Sequence, residues 1–176
     1  MLIHNFLLLA CSFGAGACLT LPATSAELPK EGTCHFKTKL EGKKDIDRSS
    51  SIGSNGITGW DETHTVTGDC GQAQWPSMKE QCFGFDELID GFAFTNGYCL
   101  NTDEDGDKLL WKFGPFKNKQ NSPVLSGALA EVLMSSGKYS GKYKGISAKS
   151  TSDCFYSGSP IRWSGHCDAE MTFKFP

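Results

Sequence analysis

The chain has 176 residues, of which 39% are hydrophobic and 21% charged, and its formal net charge is −3. This composition is ordinary for a folded domain and too apolar for an intrinsically disordered chain. Because a protein that covers phosphates is normally basic, the slight excess of acidic residues argues against nucleic acid as a partner. The length suits a single domain.

The first 26 residues contain no Asp, Glu, Lys or Arg, and their apolar run ends in small residues. Thr24 and Ala26 stand at the −3 and −1 positions before a polar switch, which is typical of a secretory signal peptide. We therefore expect residues 1–26 to be a signal peptide and 27–176 a periplasmic or extracellular domain, with no transmembrane segment after cleavage. Lipid modification at Cys18 and an uncleaved membrane anchor remain as alternatives.

Six of the eight cysteines follow the leader, and an even number in an exported chain predicts disulfides, here three. Six cysteines allow 15 pairings, and the pairs closest in sequence are Cys154 with Cys167 and Cys70 with Cys82. No Cys-x-x-Cys spacing occurs, so we expect neither a metal site nor a redox motif. The cysteines assigned to disulfides are Cys34, Cys70, Cys82, Cys99, Cys154 and Cys167.

Glycines divide the remaining chain into short runs rich in Thr, Phe, Tyr, Trp and Val, which is typical of many strands joined by turns. The segment 126–136 would also suit a helix, but Gly127 and the Ser-Ser-Gly at 135–137 leave little length for one. Residues 49–56 and 117–123 are predicted loops. In chain order, the predicted strands are 33–41, 59–67, 80–86, 92–101, 108–113, 129–135, 143–151 and 161–175.

The last predicted strand has the clearest pattern, because apolar and polar residues alternate from 161 to 175 without a slip. Such alternation is expected of a strand half-buried in an antiparallel sheet. Eight antiparallel strands need protected edges, and closure into a barrel removes the edges. We therefore predict an all-β fold, a single antiparallel eight-stranded barrel stabilised by disulfides, with a β-sandwich as the alternative. The interior of such a barrel holds packed side chains or one small ligand.

Asp103, Asp105 and Asp107 have the alternate spacing of a calcium-binding loop. An EF-hand loop needs Gly at its sixth position and Glu at its twelfth, where this chain has Lys108 and Gly114. The central Asp-Gly pair instead suits a tight hairpin turn. We predict a turn here, with a weak calcium site as the alternative.

The tripeptide Gly-Lys-Tyr occurs at 137–139 and again at 141–143, without the Ser or Thr that a phosphate-binding loop requires after its Lys. The segment Gly-Lys-Tyr-Lys-Gly-Ile at 141–146 resembles a turn of exported bacterial proteins with an allene oxide cyclase-like barrel, and plant dirigent proteins carry a related turn. The resemblance extends over residues 97–152 and departs at Ser147-Ala148, where a further glycine is usual. It implies an eight-stranded barrel with an apolar interior, and it carries over no catalytic residue.

Glu62 and His64 lie two residues apart on one predicted strand face. We expect a non-catalytic barrel that binds a small hydrophobic ligand in its interior and needs no cofactor. One alternative is an enzyme for a lipid-like substrate with Glu62 and His64 as acid and base. Another is a packed barrel that docks on an envelope protein. The candidate ligand-binding residues are Trp60, Glu62, His64, Phe92, Phe94, Tyr98 and Trp111.

Overall fold

The computed structural model describes residues 29–71, 74–136 and 142–176, and in them it shows an all-β protein. Each strand pairs antiparallel with the next, and the last pairs with the first, which closes an eight-stranded barrel. No helix that could cross a membrane is found in these ranges. The strands are β1 (Glu31–Ile52), β2 (Asn55–Asp69), β3 (Gln74–Ile89), β4 (Phe92–Asp103), β5 (Lys108–Lys119), β6 (Val124–Ser136), β7 (Ser147–Gly158) and β8 (Arg162–Lys174).

The predicted barrel is confirmed, and closure excludes the β-sandwich alternative. The segment 126–136 is a strand, as predicted, whereas the loop predicted at 49–56 is wrong because β1 and β2 continue into it and leave only a turn at 53–54. The strand predicted at 143–151 starts too early, since 142–145 form a turn. The predicted signal peptide lies outside the described residues.

The alternation of side chains in β8 and β1 places one face of each strand inside the barrel. Cys167, Met171 and Phe173 are buried on β8, and Phe36 and Leu40 are buried on β1. Their sequence neighbours are exposed, because successive side chains of a strand point to opposite faces. Burial of these apolar side chains therefore fixes which face of the sheet is curled inward.

The two ends of the barrel differ. Turns at 53–54, 90–91, 120–123 and 159–161 lie at one end, and those at 104–107 and 142–146 lie at the other. This second end is filled by a hydrophobic cluster that includes Trp75, Leu109, Tyr143 and Met171. Trp75 and Tyr143 stack with ring centroids 5.7 Å apart and are 2% and 1% exposed. We call this end the floor and the other end the mouth.

The Asp-rich segment forms the hairpin turn between β4 and β5, as predicted. The backbone N–H of Asp103 donates to the carbonyl of Asp107 at 3.0 Å, and the N–H of Gly106 donates to the carbonyl of Asp103 at 3.1 Å. Gly106 has a φ of 85°, a conformation that glycine adopts without steric cost. The Asp-Gly pair thus serves the turn geometry.

Asp103 connects this turn to the Gly-Lys-Tyr segment. Its buried Oδ2 accepts hydrogen bonds from Lys142 Nζ at 2.8 Å and from the Tyr143 hydroxyl at 2.9 Å. Its Oδ1 accepts from the backbone N–H groups of Asp105 and Asp107 at 3.0 and 2.9 Å. Burial disfavours the carboxylate, but the bonds from Lys142 and Tyr143 outweigh it and lower the pKa of Asp103. The two sequence motifs therefore form one structural unit at the floor.

All six predicted disulfide cysteines are paired: Cys34 with Cys70, Cys82 with Cys99, and Cys154 with Cys167. The Cys154–Cys167 pairing is the one expected from sequence proximity, whereas a Cys70–Cys82 pairing is wrong. Cys82 lies directly opposite Cys99, and Cys154 opposite Cys167, on neighbouring strands. These two cross-strand links fix the registers of β3 with β4 and of β7 with β8.

Candidate functional site in the barrel interior

A cavity of about 570 Å³ occupies the barrel interior between the floor and the mouth. Turn residues 120–123 and 159–160 contribute to its lining, so the cavity extends to the mouth. Trp75 and Met78 line its deep end, where the floor cluster begins. A volume of this size falls in the range of pockets that take drug-sized molecules.

Aromatic side chains form much of the cavity wall. Trp60 and Phe113 stack with ring centroids 5.7 Å apart, and both pack in one cluster with Trp111 and Trp163. Tyr156 also lines the cavity. This wall suits an apolar or aromatic ligand body, because aromatic side chains offer large apolar faces with defined geometry.

A histidine flanked by two carboxylates lies in the same wall. His64 Nε2 lies 2.9 Å from Glu62 Oε2, and His64 Nδ1 lies 2.5 Å from Glu80 Oε1. Trp163 Nε1 donates to the other oxygen of Glu62 at 2.6 Å. Glu62 and His64 come from alternate positions of β2, and Glu80 is paired with His64 across the β2–β3 ladder.

The surroundings of His64 favour its protonated form. Burial opposes the charge on the imidazole, but the hydrogen bonds and charges of Glu62 and Glu80 outweigh burial and raise the pKa of His64 from 6.5 to about 9. At neutral pH both ring nitrogens therefore donate protons to carboxylates. A general base needs a free nitrogen lone pair, so His64 acts as the internal counter-ion of two glutamates.

Asp86 adds a third carboxyl group to the cavity wall. The Thr95 hydroxyl donates to Asp86 Oδ1 at 2.6 Å. Burial raises the pKa of Asp86, and although hydrogen bonds from Thr95 and Trp60 oppose the rise, the net direction is upward, with a further contribution from the charge of Glu62. Burial and the charges of Glu62 and Asp86 likewise raise the pKa of Tyr156. These acidic groups therefore share one electrostatic environment.

One set of metal-ligating residue types occurs in the described ranges: His64 Nδ1, a Glu80 oxygen and Cys82 Sγ lie within 4.8 Å of one another. A metal needs the thiolate form of cysteine and an imidazole lone pair. Cys82 is bonded to Cys99, and both nitrogens of His64 face carboxylates. The oxidised protein thus offers no suitable donor set at this position.

Four of the seven candidate ligand-binding residues line the cavity, and the structure brings them together in its wall: Trp60, Glu62, His64 and Trp111.

The expected inward placement of Phe92, Phe94 and Tyr98 is wrong, because these side chains lie on the outer face of β4. Phe92 is 40% exposed and Tyr98 38% exposed, and Lys117 Nζ lies 3.8 Å from the centroid of the Phe92 ring. The alternate positions of β4 point inward, among them Cys99. The Cys82–Cys99 link fixes that face, so the larger aromatic residues are left outside.

Small inward residues on β4 make room for its neighbours. A Cβ at Gly97 would lie 2.4 Å from Phe113 Cζ and 2.7 Å from the carbonyl oxygen of Phe83. Gly97 is thus required for the close approach of the Phe113 ring to the β4 backbone. The inward residues of β4 fit because they are small rather than because they are apolar. A search for alternating apolar residues therefore does not detect this face.

Sequence reasoning missed most of the residues that line the cavity, among them five that contribute carboxyl, amide, phenol or indole groups to its wall. Two of them, on β3, share the inward face with Cys82, at offsets of two and four residues. Their spacing from Cys82 shows that the three residues share one face of the strand. The sequence analysis did not assign that face to the interior and could not identify the neighbouring strands. These five residues are Glu80, Asp86, Asn101, Tyr156 and Trp163.

The chain was compared with protein-family models, and none matches it. Comparisons with curated proteins and with solved structures likewise find no match. The candidate site therefore has to be interpreted from its own geometry.

Proposed function

We propose that this protein is an exported binding protein that holds a small, largely hydrophobic molecule inside its barrel. The cavity is the observation that carries the proposal: about 570 Å³ lie within a closed sheet, bordered by aromatic side chains and reaching the mouth. A barrel used only for docking on other proteins needs no such space. Eight-stranded barrels that hold a ligand use their interior in this way.

Three disulfides support the exported location, because such bonds persist in oxidising compartments. The predicted signal peptide agrees with this location. The enzymatic alternative is less favoured, since His64 donates from both nitrogens to Glu62 and Glu80 and so lacks a lone pair for proton abstraction at neutral pH.

The proposal is tested by native mass spectrometry of the protein purified from its own envelope. We expect a mass above that of the oxidised polypeptide, which returns to the polypeptide mass after denaturation. Tryptophan fluorescence gives a second signal, because Trp60, Trp111 and Trp163 line the cavity.

A matched pair of variants on β6 separates interior binding from surface binding. Ala130 lines the cavity, whereas Leu129 is exposed on the outer face. Ala130→Phe should displace the retained molecule, and Leu129→Phe should leave it in place. A ligand-free wild-type protein that shows no thermal shift across a hydrophobic library would overturn the proposal.

A further inference from the structure

The charged groups in the cavity are distributed unevenly along its depth. The titratable residues that line it are Lys44, Glu62, His64, Glu80, Asp86, Lys119 and Tyr156.

The two lysines lie near the mouth. The backbone N–H of Lys44 donates to the carbonyl of Ile161 in the β7–β8 turn, and Lys119 is the exposed last residue of β5. Asp86 lies three residues before the end of β3, close to the 90–91 turn at the mouth. The deeper interior thus holds the two carboxyl groups of Glu62 and Glu80 against the one imidazole of His64. His64 compensates one carboxylate, and the remaining excess is acidic.

An unpartnered acceptor lies beside this acidic group. Asn101 lines the cavity and is 4% exposed, and its Oδ1 has no hydrogen-bond partner. Asn101 is paired with Glu80 across the β3–β4 ladder, so the two side chains are neighbours on the inner face. A buried polar atom without a partner is costly. An N–H donor on a bound molecule would satisfy the Asn101 oxygen.

We propose that the molecule held in the interior is an organic amine, with a cationic N–H donor group directed at Glu80 and Asn101 and an apolar body against the tryptophans. This inference rests on the proposed binding function and names its ligand class. A cation is attracted both to carboxylates and to the faces of aromatic rings, tryptophan most strongly. A ligand carboxylate would instead add a further negative charge to an acidic, water-poor interior.

The test compares three probes with the same eight-carbon chain: octylamine, octanol and octanoic acid, at pH 7 and low salt. Affinity is measured by tryptophan fluorescence and calorimetry. We expect octylamine to bind at least tenfold more tightly than octanol, and octanoate to bind most weakly.

Two isosteric variants locate the amine site. Glu80→Gln should lower the octylamine affinity about tenfold while octanol binding stays unchanged. Glu87→Gln is the matched control, because Glu87 lies on the same strand as Glu80 but faces outward; it should alter neither affinity. A change in octylamine affinity that is equal in both variants would contradict the assigned site.

The outcomes distinguish the amine inference from the binding function. Octanol or octanoate binding as tightly as octylamine overturns the amine inference and leaves the binding function supported. If no probe binds, the molecule retained by the native protein is identified by mass spectrometry. A retained molecule with a basic nitrogen supports the amine inference, and one without a basic nitrogen overturns that inference but not the binding function. If no probe binds and the native protein retains no small molecule, both proposals fail.

Discussion

The contacts of His64 predict that folding stability falls as the pH rises above neutrality. Glu62 and Glu80 raise the pKa of His64 in the folded protein to about 9 despite burial, whereas an unfolded histidine titrates near 6.5. A group with a raised folded pKa contributes its full stabilisation below the unfolded pKa and loses it as the pH passes the folded value. The window of loss is therefore about pH 6.5 to 9.5.

The pKa of His64 rises from 6.5 to about 9 on folding. At about 1.36 kcal/mol per pKa unit, this shift corresponds to roughly 3 kcal/mol of folding free energy. For a domain of this size, about 1 kcal/mol shifts the melting temperature by about 2–4 °C. We therefore expect the melting temperature to fall by about 6–12 °C across the window. Calorimetry at constant ionic strength would measure the fall.

The matched variants are His64→Gln and His166→Gln. His166 is exposed on the outer face of β8, so its replacement should leave the pH dependence intact. His64→Gln should remove most of it, because no imidazole remains between the glutamates. Proton NMR of the wild-type protein gives the titration directly, without requiring a variant to fold. A His64 resonance that titrates below pH 7 would refute the reasoning.

The remaining predictions concern the floor turn. Asp103→Ala should lower the free energy of unfolding by about 3 kcal/mol, because it leaves Lys142 and Tyr143 without their shared acceptor. Urea unfolding measures this loss. The exposed residue Glu104 provides the control, and a loss no larger than that of Glu104→Gln would contradict the prediction. Millimolar calcium should not raise the melting temperature, because the Lys142 ammonium already pairs with Asp103 and Asp105; a clear calcium-dependent rise in scanning fluorimetry would show that the turn also serves as a cation site.

The sequence pattern predicted the fold well where burial is one-sided and apolar. On β8 most inward positions are hydrophobic or cysteine residues and the outward ones are polar, so alternation alone assigns the faces. On β4 the same criterion gave the opposite face, because the inward positions are small and the outward ones aromatic. Which face of β4 points inward follows from the disulfide between Cys99 and Cys82 on the neighbouring strand. Alternation along β4 alone does not contain that information.

The candidate site was predictable only in its local part. Glu62 and His64 share a face through their spacing of two along β2, and they do form a hydrogen bond. Glu80, Asp86 and Asn101 join them through pairing across strands. Cross-strand register depends on where each turn falls, and the sequence predicted those turn positions only to within several residues. The sequence therefore could not predict which residues of other strands lie next to Glu62 and His64.

The blocked floor has a kinetic consequence. In the described residues the sheet is closed, and Trp75, Tyr143 and their neighbours fill one end. A molecule held in the interior should therefore enter and leave through the mouth. Pro123 and Pro160 lie at the mouth, and proline restricts the backbone freedom of the turns that carry it. The rate at which a bound molecule leaves should thus be controlled by a few turn residues at the mouth. Which molecule binds should depend instead on the side chains deeper in the barrel.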